Sequence, residues 1–400
     1  MYTLAETISS SSESIQPEAN LRLFVLIDAL GWEVLKEHEF LNDILPHRQP
    51  LRTILGFSSG AIPTILTGKT PAQTGHWNLF YYDPQGSPFG WLKWFQFLPD
   101  FVFEHRITQK IVKELGRHVL GMGPLFECFV SPRLLPWFNW VEKKNIYDKD
   151  GISGAHSIFD RLAEQGAPYK VYSYHHQGDE EILKQAALDV QARAANFYFI
   201  YLCEIDSLLH RHILDRGKLA ERLDHYAEHL RGIFRDAKRI DPSASLTLFS
   251  DHGMTPVTDR FDLVGAIEAL GFSMPDDYLA VYDSTMARFW FFNSESRAKI
   301  AERLAELNCG RVLPNAELRE LGVFFPDQRY GEIVFLLHPG WLISRSDFNG
   351  KGWNPIGMHG YHPDDAYSDG VFLSSEKPPV AIRSVADVYQ CLRQALGTAR

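Results

Sequence analysis

Six residues of this 400-residue chain have side chains and positions suited to binding metal ions. They are Asp28, Asp206, His210, Asp251, His252 and His359. Except for His359, each of them ends or closely follows a short run rich in Val, Ile, Leu and Phe, and such runs are typical of buried parallel strands. Carboxylate oxygen and imidazole nitrogen are ligands for divalent metals such as zinc. These residues are enough for two metal sites, if the fold brings them together.

The predicted strands supply a way to bring them together. Strands near 22–28, 197–206 and 245–250 are separated by helical patterns such as 179–195. This order predicts an α/β fold with a doubly wound, mostly parallel sheet. The carboxyl ends of such strands converge on one edge of the sheet. Two metal ions held there, about 3.5–4 Å apart, can bind the attacking and leaving oxygens of a displacement at phosphorus.

A pair of serines offers a nucleophile for that displacement. Ser58 and Ser59 lie in GFSSGAIPTILTG, which has the pattern of a strand-to-helix elbow. A serine hydroxyl is a poor nucleophile unless a base or a metal stabilises its alkoxide. The backbone N–H groups at the start of a helix favour an anionic phosphoryl group. We therefore expect an elbow serine to attack, with the backbone N–H of Ser59 as a donor to the substrate.

The length and composition indicate one main domain with insertions. A chain of 400 residues, 45% of them hydrophobic, exceeds the usual size of a single compact core. The segment between Trp77 and Trp140 is rich in aromatic residues and has the composition of an insert. We predict a disordered lead-in at 1–21, core parts at 22–75, 151–261 and 331–400, an aromatic-rich insert or cap at 76–150, and a smaller inserted lobe at 262–330.

Several classes of partner are disfavoured. The formal charge of −10 gives no electrostatic reason to expect nucleic acid as a partner. The absence of an apolar stretch of about 18 residues argues against a membrane span. The N-terminus lacks the features of a signal peptide, so a cytoplasmic location is expected. Four cysteines without CxxC spacing disfavour a disulfide scaffold and a cysteine zinc site; they are Cys128, Cys203, Cys309 and Cys391.

Five motifs, taken in order along the chain, resemble those of the alkaline phosphatase superfamily. They are the strand end at Asp28, SSGAIPTILTG, D-x-x-x-H, SDHGM and GMHGY. The closest resemblance is to its type I phosphodiesterase/nucleotide pyrophosphatase branch, over about 22–75, 150–260 and 331–400. It implies that one metal is bound by Asp28, Asp251 and His252, and the other by Asp206, His210 and His359.

The same resemblance ranks the two serines. In that branch the nucleophile lies ten residues before the glycine of the TG pair that closes the elbow helix. Counting back from Gly68 gives Ser58, with Ser59 as its competitor. Five further histidines lie outside the motifs, and a surface or core role is expected for them. They are His76, His175, His176, His212 and His362.

These observations predict a two-metal phosphate-ester hydrolase that acts through a phosphoseryl intermediate. Its cofactors are expected to be two divalent ions, zinc first, with Mn²⁺ or Mg²⁺ as alternatives. A phosphodiesterase or nucleotide pyrophosphatase activity on a small-molecule phosphate ester fits best. Phosphomonoesterase or phosphotransferase action, and a noncatalytic phospholigand- or metal-binding role, are the alternatives. The clustered aromatics of the insert are predicted either to pack as the core of a lobe or to form a wall beside the metals; in the second case Trp91 and Trp94 contact an apolar, glycan or nucleotide leaving group.

Overall fold

The regular structure alternates strands and helices along most of the chain. A computed structural model describes residues 20–396, except 104, 123–125, 127–129, 175–176, 348–353 and 379. The strands are β1 (Arg22–Ile27), β2 (His47–Leu51), β3 (Phe80–Tyr82), β4 (Phe138–Trp140), β5 (Tyr169–Tyr172), β6 (Phe197–Leu202), β7 (Ser245–Phe249), β8 (Thr255–Pro256), β9 (Asp259–Phe261), β10 (Tyr278–Asp283), β11 (Met286–Phe291), β12 (Gly310–Val312), β13 (Ile333–Leu337), β14 (Trp341–Ile343), β15 (Gly357–Met358) and β16 (Gly370–Ser374).

The α-helices are α1 (Trp32–Leu35), α2 (Ser58–Thr67), α3 (Pro71–Thr74), α4 (Asp100–Phe103), α5 (Arg106–His118), α6 (Ile158–Glu164), α7 (Asp179–Gln191), α8 (Glu204–His212), α9 (Arg216–Ile240), α10 (Leu263–Glu268), α11 (Ser294–Ala305), α12 (Asn315–Glu320) and α13 (Val388–Gln394). Short 3-10 helices lie at Gly90–Phe95, Leu135–Trp137, Ala366–Ser368 and Val385–Asp387.

A six-stranded sheet forms the centre of the molecule, in the order β2-β16-β7-β1-β6-β5. β1 pairs in parallel with β6 and β7, and β5 pairs in parallel with β6, whereas β16 is antiparallel to β7 and β2. Arg22 lies opposite both Phe197 and Ser245, so β1, β6 and β7 begin at the same level. Their carboxyl ends therefore reach one edge together. The predicted mostly parallel α/β fold is confirmed.

The central sheet is buried on both faces. Successive residues of a strand point to opposite faces, and in β1 Leu23 and Val25 pack into one core with α7 and α9. Phe24 and Leu26 pack into a second core with α2, α6 and α13. This arrangement explains why the strand reads as an uninterrupted apolar run. It also leaves the carboxyl edge, rather than a face, available for chemistry.

A second sheet has four antiparallel strands in the order β10-β11-β13-β12. Three of its strands come from the predicted lobe at 262–330, but β13 begins at Ile333 and lies between β11 and β12. Val334 and Leu336 face one core, while Phe335 and Leu337 face another. The second sheet thus extends past the predicted end of the lobe.

The aromatic-rich segment packs around a hydrophobic core that it shares with strands β10 and β11 of the second sheet. Its first and last strands, β3 and β4, pair with Phe80 opposite Trp140, and the cluster also buries Phe89, Phe126 and Phe138. Other aromatic side chains of the segment are exposed, including Trp94 at 82%. The clustered aromatics therefore serve mainly to pack the insert, and an outer edge of them faces solvent.

The cysteines and the helices of the described part of the chain bear on two predictions, that there is no disulfide scaffold and no membrane span. Cys203, Cys309 and Cys391 are free thiols, whereas Cys128 lies outside the described residues. No described helix combines the length and the apolar character needed to cross a bilayer.

Candidate active site

Asp28 and Asp251 lie beside each other because they follow neighbouring strands. Asp28 comes directly after β1, and Asp251 comes two residues after β7. Ala29 has a positive φ of 59°, a conformation that is unfavourable for a residue with a Cβ atom. This turn brings the Ala29 N–H to within 3.3 Å of Asp251 Oδ1. This hydrogen bond links the two aspartate-bearing loops.

His252 completes the first group of potential ligands. Its Nε2 lies 3.2 Å from Asp251 Oδ2 and 3.6 Å from Asp28 Oδ1. Its Nδ1 is 2.9 Å from the backbone carbonyl of Gly253. Donation from Nδ1 to a carbonyl leaves Nε2 with a lone pair, which is the usual arrangement of a metal-binding histidine. The ligand atoms of the three side chains all lie within 4.8 Å of one another.

The second group joins α8 to the loop after β15. Asp206 and His210 are four residues apart on α8 and so share one face of the helix, with Asp206 Oδ1 3.3 Å from His210 Nε2. His359 Nε2 lies 3.6 Å from the same carboxylate oxygen. His210 Nδ1 is 2.8 Å from the carbonyl of Gly357, which again directs Nε2 toward the cluster.

The two groups adjoin each other. The rings of His252 and His359 stack with centroids 3.9 Å apart and an interplanar angle of 14°. One ring belongs to each group. The structure therefore brings all six sequence-predicted ligands into one cluster at the carboxyl edge of the main sheet, as two adjacent groups of three.

The cluster carries negative charge that its surroundings do not neutralise. Burial, together with Asp251 and Asp206, raises the pKa of Asp28 well above its ordinary value, although Tyr201 donates a hydrogen bond to it. One buried oxygen on each aspartate has no hydrogen-bond partner: Asp28 Oδ1, Asp206 Oδ1 and Asp251 Oδ2. Buried, unpaired carboxylate oxygens are costly unless a cation binds them. The residues present therefore fit two divalent metal ions.

The histidines of the cluster respond to these charges in opposite ways. Burial lowers the pKa of His359 well below its usual value, and His252 and His210 lower it further. Burial also lowers the pKa of His210, but the nearby Asp206 carboxylate outweighs this and raises it. A neutral imidazole is the form that binds a metal, so His359 is already in the ligating state near neutral pH.

The two elbow serines differ in their contacts. Ser58 is the first residue of α2, and its Oγ lies 3.0 Å from His252 Nε2. The hydroxyl of Ser59 instead donates to the backbone carbonyl of Trp77 at 3.3 Å. The structure thus places the Ser58 hydroxyl against the first ligand group and turns that of Ser59 toward the protein.

A carboxylate missed by sequence reasoning supports the start of α8. Asp179 is buried at the first turn of α7 and accepts hydrogen bonds from the N–H groups of Cys203 and Glu204, at 3.1 and 2.9 Å. Tyr226 also donates to it. A negative charge at a helix N-terminus is favourable, so Asp179 helps to hold the helix that carries Asp206 and His210. Its pairing spans 25 residues and has no local sequence signal.

The second lobe also contacts the site. Thr285, between β10 and β11, donates to the backbone carbonyls of His359 and Gly360, at 3.3 and 3.0 Å. Arg288 is fully buried, pairs with Asp283 at 3.0 Å and donates to the carbonyl of Phe80. Thr285 therefore supports the His359 loop, while Arg288 joins the lobe to the aromatic-rich segment.

A cavity of about 650 Å³ opens beside the metal-ligand cluster and Ser58. Neither Trp91 nor Trp94 lines it, which corrects the prediction that these tryptophans contact the leaving group. The walls come from other parts of the chain and include Leu79, Glu142, Ile146, Tyr147, Tyr174 and Arg211. Burial raises the pKa of Glu142 to about 7. A mostly apolar cleft of this size suits a small organic substrate.

The histidines outside the motifs do not join the cluster. His76 is buried, and its ring nitrogens have no hydrogen-bond partner. His362 lies 3.1 Å from Glu317, and His212 lies 3.4 Å from the ammonium of Lys218. His175 and His176 lie outside the described residues.

The fold and the site together define a phosphoric ester hydrolase of the alkaline phosphatase superfamily. The model of the type I phosphodiesterase/nucleotide pyrophosphatase family matches residues 23–362. The chain therefore belongs to the type I phosphodiesterase/nucleotide pyrophosphatase family. No curated protein sequence gives a significant match.

Solved structures agree with this assignment at the level of the fold. Human ectonucleotide pyrophosphatase/phosphodiesterase 5 matches with a TM-score of 0.66 at 14% identity, over 95% of this chain and 96% of that one. The murine protein matches with a TM-score of 0.65 at 16% identity, over 95% and 96% of the two chains. An inactive variant of the murine protein in complex with AMP gives 0.65 at 17% identity, over 95% of each chain.

Proposed function

We propose that this protein hydrolyses a small-molecule phosphodiester or pyrophosphate through a covalent phosphoseryl intermediate, using two divalent metal ions. The observation that carries the proposal is the position of the Ser58 hydroxyl, 3.0 Å from His252 Nε2 and inside a cavity that both ligand groups share. A nucleophile, two adjacent ligand sets and room for a substrate meet at one place. That combination suits in-line displacement at phosphorus.

The metals are assigned to the two ligand groups. Asp28, Asp251 and His252 would hold one ion beside Ser58, and Asp206, His210 and His359 would hold the other. Zinc fits this mixture of carboxylate and imidazole, with three protein ligands per ion and an open position for substrate. When bound, the two ions supply positive charge that favours the ionised serine and the leaving oxygen. They also balance the aspartate oxygens that lack hydrogen-bond partners.

The chain supplies the nucleophile and its orientation. Ser58 attacks phosphorus, a P–O bond to the serine forms, and the bond to the leaving group breaks. The N–H groups at the start of α2, including that of Ser59, point along the helix dipole and stabilise negative charge on the phosphoryl oxygens. Water then attacks the phosphoserine, releasing the phosphate product and restoring the Ser58 hydroxyl. Each half of the reaction is a single displacement.

A nucleotide-like substrate is the most suitable class. The murine neighbour was solved in complex with AMP as an inactive threonine-to-alanine variant, so a hydroxyl side chain is important in that protein. The cavity here has apolar and aromatic walls beside the cluster, including Leu79 and Tyr174. Such walls suit the organic part of a phosphodiester.

The test is turnover of a substrate panel by zinc-loaded protein: aryl phosphate monoesters, aryl phosphodiesters and nucleotide sugars. We expect the diesters or nucleotide sugars to give the higher kcat/KM, and chelation to abolish activity. Asp251→Ala should remove most activity and about one metal equivalent while the protein remains folded by circular dichroism. Preference for monoesters would favour the alternative activity. Full turnover in a metal-free sample would overturn the mechanism.

A further inference from the structure

A third group of potential metal ligands lies away from the active-site cluster. It consists of Glu180, His225 and His229, whose ligand atoms all lie within 4.8 Å of one another. Glu180 is the second residue of α7, and the two histidines are one turn apart on α9. Each side chain is partly exposed. The group therefore joins two helices that pack on the same face of the main sheet.

The geometry of the group suits a divalent cation. Histidines four residues apart on a helix share one face, and here their ring centroids are 4.7 Å apart. His225 Nε2 lies 2.8 Å from Glu180 Oε2. Around zinc, with bonds of about 2.0–2.1 Å, ligand atoms lie roughly 3–3.5 Å apart. The His225–Glu180 pair is a few tenths of an ångström closer than that, and one ring nitrogen of His229 lies within 4.8 Å of both ligand atoms, so small side-chain movements suffice to bring all three to the separation that zinc requires.

Nearby cations leave the ligand atoms accessible. Lys184 pairs with Glu180 at 2.9 Å, but through Oε1 rather than the Oε2 that faces His225. Arg222 is directed to Glu204 at 2.5 Å. An exposed lysine pair of this kind contributes about 0–1 kcal/mol. A divalent ion can therefore displace the lysine at little cost.

We propose that Glu180, His225 and His229 form a third divalent-metal site, suited to zinc, that clamps α7 to α9. Three protein ligands leave one position for water, as in other open zinc sites. The proposal does not depend on the reaction at the active site, since it shares no residue with that cluster.

The position of this site gives it a structural consequence. Glu180 and His225 are the immediate neighbours of Asp179 and Tyr226, which meet in the core behind them. Asp179 in turn holds the start of α8. A metal at the outer pair therefore stabilises the inner pair, and with it the helix that carries two active-site ligands.

The test compares zinc binding by the full-length wild type and two variants, using equilibrium dialysis of chelator-treated protein against Zn²⁺. His229→Ala leaves the His225–Glu180 hydrogen bond intact, so the fold should survive. We expect this variant to bind about one equivalent less than wild type, or to bind that equivalent at least tenfold more weakly. Zinc should also raise its Tm less than it raises that of wild type.

The matched control is His118→Ala on α5, where His118 lies 3.2 Å from Glu114 and no third ligand is found among the described residues. We expect His118→Ala to match wild type. The proposal is overturned if His229→Ala binds zinc with the stoichiometry and affinity of wild type, or if both variants lose binding equally. Loss of metal at the active site would lower the number of bound zinc equivalents equally in wild type and both variants. A failure of the proposed function would therefore not produce the loss that is expected in His229→Ala alone.

Discussion

Ser58 and Ser59 show how one residue along a helix start changes what a hydroxyl can do. Ser58 Oγ contacts His252, a member of the first ligand group, whereas Ser59 Oγ contacts the backbone of Trp77. Both residues line the cavity. A hydroxyl beside the metal ligands is placed to be ionised, while one that donates to a carbonyl is held in its protonated form.

This difference gives the first prediction. Ser58→Ala should lower kcat by several orders of magnitude, because it removes the atom that attacks phosphorus. Ser59→Ala should lower kcat less than about tenfold, since it removes one hydrogen bond of roughly 1 kcal/mol. Steady-state rates of the two variants on the best panel substrate provide the measurement. Metal content serves as the control, and a larger loss in Ser59→Ala would assign the attack to Ser59.

His76 provides a prediction about pH. Burial lowers the pKa of His76 to about 4, so in the folded protein it stays neutral while the unfolded chain takes up a proton near pH 6.5. The unfolded state therefore binds more protons between pH 6.5 and 4, and stability falls as the pH falls through this range. The contribution is about 3 kcal/mol, at roughly 1.4 kcal/mol per pKa unit.

Replacement of this side chain should remove that part of the acid sensitivity. Between pH 7 and 4, the free energy of unfolding of His76→Leu should decrease by up to about 3 kcal/mol less than that of wild type. Urea unfolding at several pH values measures how the free energy of unfolding changes with pH. A change in stability that is the same at every pH does not affect this comparison. Parallel slopes for the two proteins would show that His76 is protonated in the folded state.

At the scale of elements, α8 is the piece that the active site depends on most. It begins at Glu204, two residues after the end of β6, and carries Asp206 and His210. Its first N–H groups are bound by Asp179 from α7. The orientation of two metal ligands is therefore set by a carboxylate on another helix, and Asp179 acts as a positioning residue.

Asp179→Asn should weaken this support while nearly keeping the shape of the side chain. We expect the zinc concentration for half-maximal activity to rise about tenfold, with a stability loss of about 1–3 kcal/mol from the lost charge and hydrogen bonds. The control is Asp189→Asn on the same helix, where the carboxylate accepts from Tyr172 at 2.7 Å. A stability loss in Asp179→Asn without any change in zinc dependence would reduce Asp179 to a packing role.

The sequence predicts some of these elements better than others. β1 and β7 can be predicted because buried apolar runs have a clear signal, and Asp28 and Asp251 follow from their ends. The strand predicted near 197–206 ends at Leu202. The residues from Glu204 onward instead form α8, whose first N–H groups are bound by Asp179. Support from Asp179 and Thr285 could not be predicted, because each contact joins residues far apart in the chain with no shared motif.

At the scale of the whole molecule, the cavity is built from several parts of the chain. Leu79 comes from the start of the aromatic-rich segment and Glu142 from its end, whereas Tyr174 and Arg211 come from the core. The exposed tryptophans of the insert lie elsewhere. We therefore expect the leaving group to contact the two ends of the insert, where it joins the core, as well as residues of the core itself.

Leu79→Ala tests this view of selectivity. Loss of an apolar wall should raise KM for a bulky aryl diester about tenfold, at about 25 cal/mol per Å² of lost apolar contact. A small aryl phosphate should be affected far less. Trp94→Ala is the control, since Trp94 is 82% exposed and lines no part of the cavity. Equal effects of both substitutions on both substrates would argue against selection by the wall.

The place of β1 in the sheet has a consequence for how the protein is made. β1 ends at Ile27, but its neighbours β6 and β7 begin only at Phe197 and Ser245. At about 5–20 residues per second, a ribosome takes roughly ten to thirty seconds or more to synthesise the first of these partners. During that time a strand that is apolar except for Arg22 lacks its native pairing. The rate of translation between residues 28 and 197 therefore sets how long β1 waits for the first strand with which it pairs.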